Sequence, residues 1–374
     1  MQMEEIMGHL ILQGDNTNYP GFSLLGETNL AITMVETGFG PFAFNDLPFL
    51  VLAGTTSVSV VSKGVGGNTF NHISQLAEIG NGLTAVTIVG SEEFFLGQET
   101  GHTNSGDGVV TDIAATATSS KTIASSLTLI DASATTGAVS VWAGATNTSG
   151  GGLFWNGDSL NANVTITYTG LTILGGSGSD FIENDANAGV VRVGNGNGDE
   201  VELGGAGAKA QLGTGTGDRV LVGFSDIGTN EAAGSALGDK VTFNAAATAE
   251  LFVGPGAEAG STAGTASIGL TKVLNAVFSD GMNVAFNNIT QNSTIADETT
   301  AVASSASLTA AENAAVKAMG SAGVAYFSFH GNEFFIATNN NEAAVSANDA
   351  IVELVGVTNI HHATNLFGLV TLHV

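Results

Sequence analysis

Along most of the chain, apolar side chains alternate with small polar ones in short runs that glycine, asparagine and serine interrupt. LTAVTIVG at 83–90, SLTLIDASATTGAVSVWAG at 126–144 and NVTITYTGLTILGG at 163–176 all keep this habit. A period of two places successive side chains on opposite faces of a strand, and the branched Cβ of Val, Ile and Thr packs well on a pleated surface. Helical spacing is scarce. Its best instance is SLTAAENAAVKAMG at 307–320, which opens on a capping-type serine and continues in good helix formers. The pattern predicts an all-β chain with one short helix near 307–319.

The runs group into four segments. Residues 1–70 hold three of the four prolines and the aromatic-rich GFGPFAFNDLPFLVLAG, and read as a β-rich module with turns at Pro20, Pro41 and Pro48. Residues 71–174 are a strand-rich domain and 175–245 a glycine-rich one. Residues 246–374 are a C-terminal β-rich region whose last part, 321–374, returns to strands without a single Lys or Arg.

The glycine-rich segment has the composition of a flexible linker, yet VGNGNGDEVELGGAGAKAQLGTGTGDRVLVG at 193–223 brings Val, Leu and charged residues back at a steady interval. Aligned on G-G-x-G-x-D-x-U-x, with U a large apolar residue, GGSGSDFIE at 175–183 matches every specified position. NDANAGVVR follows with Gly189 in the Asp position, then GNGNGDEVE with Asp199, GGAGAKAQL with Lys209 and GTGTGDRVL with Asp218. A looser pair, around Gly228 and then GSALGDKVT with Asp239, continues the series. Steps of nine or ten residues are half a coil of a parallel β-roll. Every second half-coil then returns an Asp to one edge: Asp180, Asp199, Asp218 and Asp239. Gly189, Lys209 and Gly228 fall on the other. Ile182, Val191, Val201, Val220 and Val241 recur where a roll needs its interior, which a plain linker would not require. Gln211 departs from that rule.

Stacking gives the aspartates a chemistry. Rungs of a sheet lie ~4.8 Å apart, and two carboxylates at that separation repel by roughly 3.5 kcal/mol at an effective dielectric of ~20. A ladder of this kind calls for a cation between its rungs. Calcium accepts six to eight oxygens in flexible geometry, so the carboxylates of Asp180, Asp199, Asp218 and Asp239 could be joined by carbonyls of the turn glycines Gly175, Gly176, Gly178, Gly194, Gly196, Gly213 and Gly215. Transition metals would ask for His or Cys, which this stretch lacks. A roll that binds no metal remains the alternative.

Charge narrows the partners. With 34 acidic and 8 basic residues, a formal net charge of -26, the chain should be repelled by nucleic acid and by anionic membranes. It has no cysteine, so neither disulfides nor thiolate sites operate. The opening MQMEEIMGHLILQGDN carries Glu4 and Glu5 where a cleaved leader carries positive charge, so we expect neither such a leader nor a membrane-spanning segment. No G-x-S-x-G elbow, H-E-x-x-H zinc helix or phosphate loop occurs, so we expect no enzyme.

The repeat at 175–245 resembles the calcium-binding RTX nonapeptide of proteins exported by bacterial type I secretion, and GGSGSD is its most specific match. AYFSFHGNEFFIATNNNEAAVSANDAIVELVGVTNI, followed by an apolar tail, looks like the terminal region of type I substrates, and SLTLIDASATTGAVSV is similar to segments of RTX-bearing surface-layer proteins. The resemblance implies an elongated parallel β-solenoid with β-rich flanks and an export signal within 321–374. It also implies bound Ca2+ and a secreted structural subunit of a bacterial surface layer. Such a subunit would assemble with its own copies into a two-dimensional or tubular lattice at the cell surface, with an outer-membrane surface glycan as a further partner. A secreted RTX adhesin or a hemophore-like ligand carrier is the alternative, with a calcium-dependent hydrolase behind them.

Overall fold

A computed structural model of the chain describes residues 2–6, 8–13, 22–25, 27–36, 44–47, 50–64, 70–73, 76–79, 82–97, 109–111, 121–143, 146–147, 154–155, 158–159, 164–205, 207–222, 238–244, 249–253, 270–276, 282–286, 295–338, 343–346, 349–358, 362–366 and 369–373. Pro20, Pro41, Pro48 and Gly228 lie outside these residues. The described residues are mostly β, and most strand pairs are parallel. The chain divides into two compact units, Met1–Gly196 and Asn197–Val374, so the change of unit falls inside the glycine-rich segment.

In the first unit the strands Asn29–Glu36, Ser57–Gly64, Ala85–Gly90, Leu129–Thr135, Thr172–Leu174 and Val190–Arg192 pair in parallel, each with the next. The ladder runs past residues 70 and 174 without a break. Its register stacks like on like: Leu30, Val58, Val86, Ile130, Ile173 and Val191 face one another across successive strands, and all six are buried. The alternation legible in the sequence is therefore the alternation between this inward column and solvent. A second parallel series, Phe44–Leu47, Phe70–Ile73, Glu93–Leu96, Val139–Ala143 and Phe181–Asn184, buries Leu47, Ile73, Leu96, Val141 and Ile182 in the same manner. A third, Phe22–Leu25, Leu50–Ala53, Leu76–Ile79 and Val109–Thr111, is parallel as well. The strand Gln2–Ile6 turns back antiparallel on His9–Gln13.

The second unit repeats the scheme. Glu200–Leu203, Asp218–Val222, Ala249–Val253 and Met282–Phe286 pair in parallel and stack Val201, Val220, Leu251 and Val284 in the core. Lys209–Gln211, Lys240–Thr242, Thr271–Leu274 and Ala350–Leu354 form a second parallel series that stacks Ala210, Val241, Val273 and Leu354. Antiparallel elements follow. Gly323–Phe329 and Asn332–Thr338 make a hairpin whose turn residues, His330 and Gly331, both have positive φ, 50° and 85°, as a tight turn matched to strand twist requires.

The helix appears where the pattern predicts it, at Leu308–Met319. The Ser307 hydroxyl accepts the Ala310 N–H at 3.2 Å, and Gly320 ends the helix at a left-handed φ of 63°. Ala311, Ala315 and Val316 pack with Phe327, Phe334, Ile336 and Ile351. A one-turn helix at Thr299–Val302, which the pattern does not announce, precedes it. No described helix is long and apolar enough to cross a membrane.

Candidate functional site

Each aspartate of the repeat stands at the start of a short strand, Asp218 as its first residue and Asp180, Asp199 and Asp239 one residue before it, and each is buried. In the first unit Asp180, 2% exposed, precedes Phe181–Asn184. Its Oδ1 accepts the Val139 N–H at 3.0 Å and its Oδ2 accepts the Gly176 N–H at 2.7 Å. The carboxylate thus ties its own turn to the neighbouring strand. Burial pushes its pKa up to about 6, against the two N–H donors, which pull it down.

In the second unit Asp199 and Asp218 are both fully buried and stand one strand apart in register. Asp218 Oδ1 accepts the Asp199 N–H at 3.2 Å, and the Asp199 carbonyl accepts the Arg219 N–H at 2.7 Å. Burial raises the Asp218 pKa. Asp239, 5% exposed, takes the Ala208 N–H at 2.8 Å, and burial raises its pKa to about 8.

The pairing corrects the register read from the repeat. Asp239 does not continue the edge of Asp199 and Asp218: Lys240 pairs with Lys209, so Asp239 belongs to the alternate series, opposite Ala208. Within that series Ala208, rather than Lys209, occupies the Asp position, and Ala210 rather than Gln211 points into the core; Gln211 is exposed. Steps in the repeat alternate between nine and ten residues, so a fixed nine-residue template slips by one in this half-coil.

No family model matches this chain, and no curated protein matches it.

Among the described residues, no three His, Asp or Glu side chains converge on a point. A calcium ion at these turns would have to combine a carboxylate with backbone carbonyls. At Asp218 the residues fit such an ion: Oδ2 is buried without a well-directed donor among the described residues, since the Gly198 N–H that draws the Asp218 pKa down is bonded to the Thr216 carbonyl at 2.9 Å, and glycine turns adjoin it. At Asp180 they fit less well, since both oxygens already hold backbone N–H groups.

The glycines of the repeat sort by packing. Gly175, Gly176, Gly196 and Gly215 are buried; Gly178, Gly194 and Gly213 are half-buried. A Cβ on Gly175 would press on Asp180 Oδ2, one on Gly178 would meet the Gly137 backbone, and one on Gly194 would overlap the Gly176 carbonyl oxygen. Gly178 and Gly194 are small because neighbouring turns stack directly on one another, and Gly175 because it packs against the carboxylate of its own turn.

The nonapeptide template missed a second set of glycines. Gly198, Gly207 and Gly217, each immediately before Asp199, Ala208 and Asp218, have φ of 73°, 68° and 76°. A left-handed residue there turns the chain into the strand and swings the following side chain inward. The signal was present as the recurring Gly-Asp dipeptide at 198–199 and 217–218. A Cβ on Gly217 meets nothing within 4 Å, so Gly217→Ala is expected to cost only the left-handed penalty, about 1 kcal/mol, and Gly217→Asn less. Denaturant midpoints of the two variants check this.

Proposed function

We propose that the chain is a non-enzymatic structural subunit, a parallel β-solenoid of RTX type that binds calcium at its turns and assembles with its own copies into an extracellular lattice at a bacterial surface. Export through a C-terminal type I signal within 321–374 belongs to the same reading. The observation that carries it is the placement of Asp199 and Asp218 at the starts of adjacent parallel strands, both buried, with an oxygen of Asp218 that has no well-directed donor among the described residues. Calcium would be held there by the carboxylates of Asp218 and Asp199 with carbonyls of the neighbouring turns, and it would supply the positive charge that the buried carboxylates lack. Net charge supports an ionic trigger for assembly: copies carrying -26 repel one another until counter-ions sit at their contacts. Monovalent salt weakens that repulsion but offers no directed coordination.

Calcium at a hundredfold excess over its dissociation constant should stabilise the fold by ~2.7 kcal/mol per site. The gain should be larger at pH 8 than at pH 5, because a carboxylate must lose its proton to ligate and the pKa values here are raised. Melting curves and negative-stain microscopy of one preparation, under EGTA with sodium chloride and under calcium, test both parts. Ordered arrays and a raised melting point in calcium alone support the reading. An unchanged melting curve favours a second one, suggested by the N–H bonds of Asp180: the aspartates act as turn caps and serve the fold alone.

A further inference from the structure

In a chain with only 8 basic residues, three lysines stand in a single column. Lys209 pairs with Lys240 and Lys240 with Lys272 on adjacent parallel strands of the second unit, and all three are exposed. Two positions along each strand the same face carries Gln211, Thr242 and Leu274. Lys272 is held by Glu353, Nζ to Oε2 at 3.0 Å, whereas Lys209 and Lys240 form no ion pair among the described residues.

The neighbouring sheet of the same unit handles charge in the opposite way. There Glu200, Arg219 and Glu250 alternate in sign across three strands, with Arg219 2.9 Å from Glu200 and 3.5 Å from Glu250. Like charges directly opposite on a sheet destabilise it. The lysine column therefore costs the fold something, and among the described residues only Lys272, through Glu353, is neutralised from within. An outside anion would offset that cost.

We propose that this column is a docking face for a second copy of the same chain, which meets it with carboxylates. Charge complementarity favours this partner. With 34 acidic residues against 8 basic ones, a second copy carries far more carboxylates than cations, and they are attracted to this face. The contact is heterologous, because the column cannot face itself without setting ammonium against ammonium. A heterologous contact that does not close into a ring propagates into open arrays. The inference rests on the self-assembly proposed above and names one of its contacts.

The test compares the full chain, Lys209→Glu/Lys240→Glu and Lys209→Arg/Lys240→Arg in calcium, by sedimentation velocity and negative-stain microscopy. Lys272 is left intact because its ion pair serves the fold. Circular dichroism and melting curves check that each variant folds, with Lys209→Ser/Lys240→Ser replacing the glutamate variant if it does not. The concentration needed for assembly should rise about tenfold or more in the charge-reversed variant and stay close to the parent value in the arginine variant, since like-charge juxtaposition at a contact costs several kcal/mol. Raising sodium chloride from about 0.1 M to about 0.5 M in calcium should weaken the parent's assembly and leave the reversed variant unmoved. Equal assembly of parent and reversed variant overturns the docking face while self-assembly stands. A parent that stays monomeric in calcium overturns both. If such a monomer binds polygalacturonate through the two lysines, the face belongs to an anionic glycan and not to a second copy.

Discussion

Gly194→Ala is expected to destabilise the first unit by about 3–5 kcal/mol, the upper end of what one added methyl group does. Gly194 leaves the strand Val190–Arg192 as Gly176 leaves Thr172–Leu174, and these strands pair with Leu174 opposite Arg192. The two turns therefore lie one above the other. A Cβ at Gly194 would overlap the Gly176 carbonyl oxygen, a backbone atom that cannot swing aside. Relief requires one turn to lift from its neighbour. Lifting it would disturb the Gly176 N–H bond to Asp180 Oδ2 and the Gly175 N–H bond to the Arg192 carbonyl, 2.7 and 2.8 Å respectively. In a unit of this size the melting temperature should fall by roughly 10 °C or more. Gly170→Ala is the control: its φ of 68° is left-handed, but a Cβ there meets nothing within 4 Å, so only the conformational penalty remains. Gly194 itself is not left-handed, so a loss in Gly194→Ala no larger than the penalty in Gly170→Ala would mean that the turns yield and that their stacking does not require glycine at 194.

Glu312→Gln should stabilise the second unit at neutral pH and above. Glu312 lies on the buried face of Leu308–Met319 between Ala311 and Ala315, is fully buried, and neither carboxylate oxygen finds a hydrogen-bond donor among the described residues. Burial first, and the Glu353 carboxylate second, raise its pKa from 4.5 to about 7. Glu353 is itself engaged, by Lys272 and by the Asn332 side-chain amide at 2.6 Å, so it cannot turn away. The folded chain holds the Glu312 proton more tightly than the unfolded chain does. This contribution to stability is complete below about pH 4.5 and is lost as pH rises through about 7, where the charged form costs about 3 kcal/mol. Glutamine carries no such penalty at any pH. Denaturant unfolding between pH 4 and 8 should therefore give matching stabilities for parent and variant at the acid end and a gap of about 3 kcal/mol at pH 8. A gap that does not change with pH would mean that Glu312 keeps its charge in the folded state.

The raised pKa values of Asp180, Asp218 and Asp239 have the same sign. Without a cation each adds to the loss of stability as pH rises, and a bound cation would reverse that contribution.

Much of this was legible in the sequence because the repeat is local. Alternation in Leu129–Thr135, Val139–Ala143 and Thr172–Leu174 follows from the pleat, and the helix at Leu308–Met319 follows from its capping serine and terminal glycine, all within a few residues of one another. The recurrence of Asp180, Asp199 and Asp218 at the starts of strands could likewise be counted along the chain. What the chain alone could not supply is register between coils. A one-residue slip exchanges inside for outside, and this decided that Ala210 is buried and Gln211 exposed, and that Asp239 faces Ala208 instead of extending the edge of Asp199 and Asp218. The destination of each aspartate oxygen was hidden for the same reason. Asp180 ends on the N–H of Val139, 41 residues away, and a donor at that distance becomes its neighbour only once the strands have stacked. The lysine column is equally non-local: Lys209, Lys240 and Lys272 are 31 and 32 residues apart, intervals that match no repeat length, and parallel pairing alone brings them together.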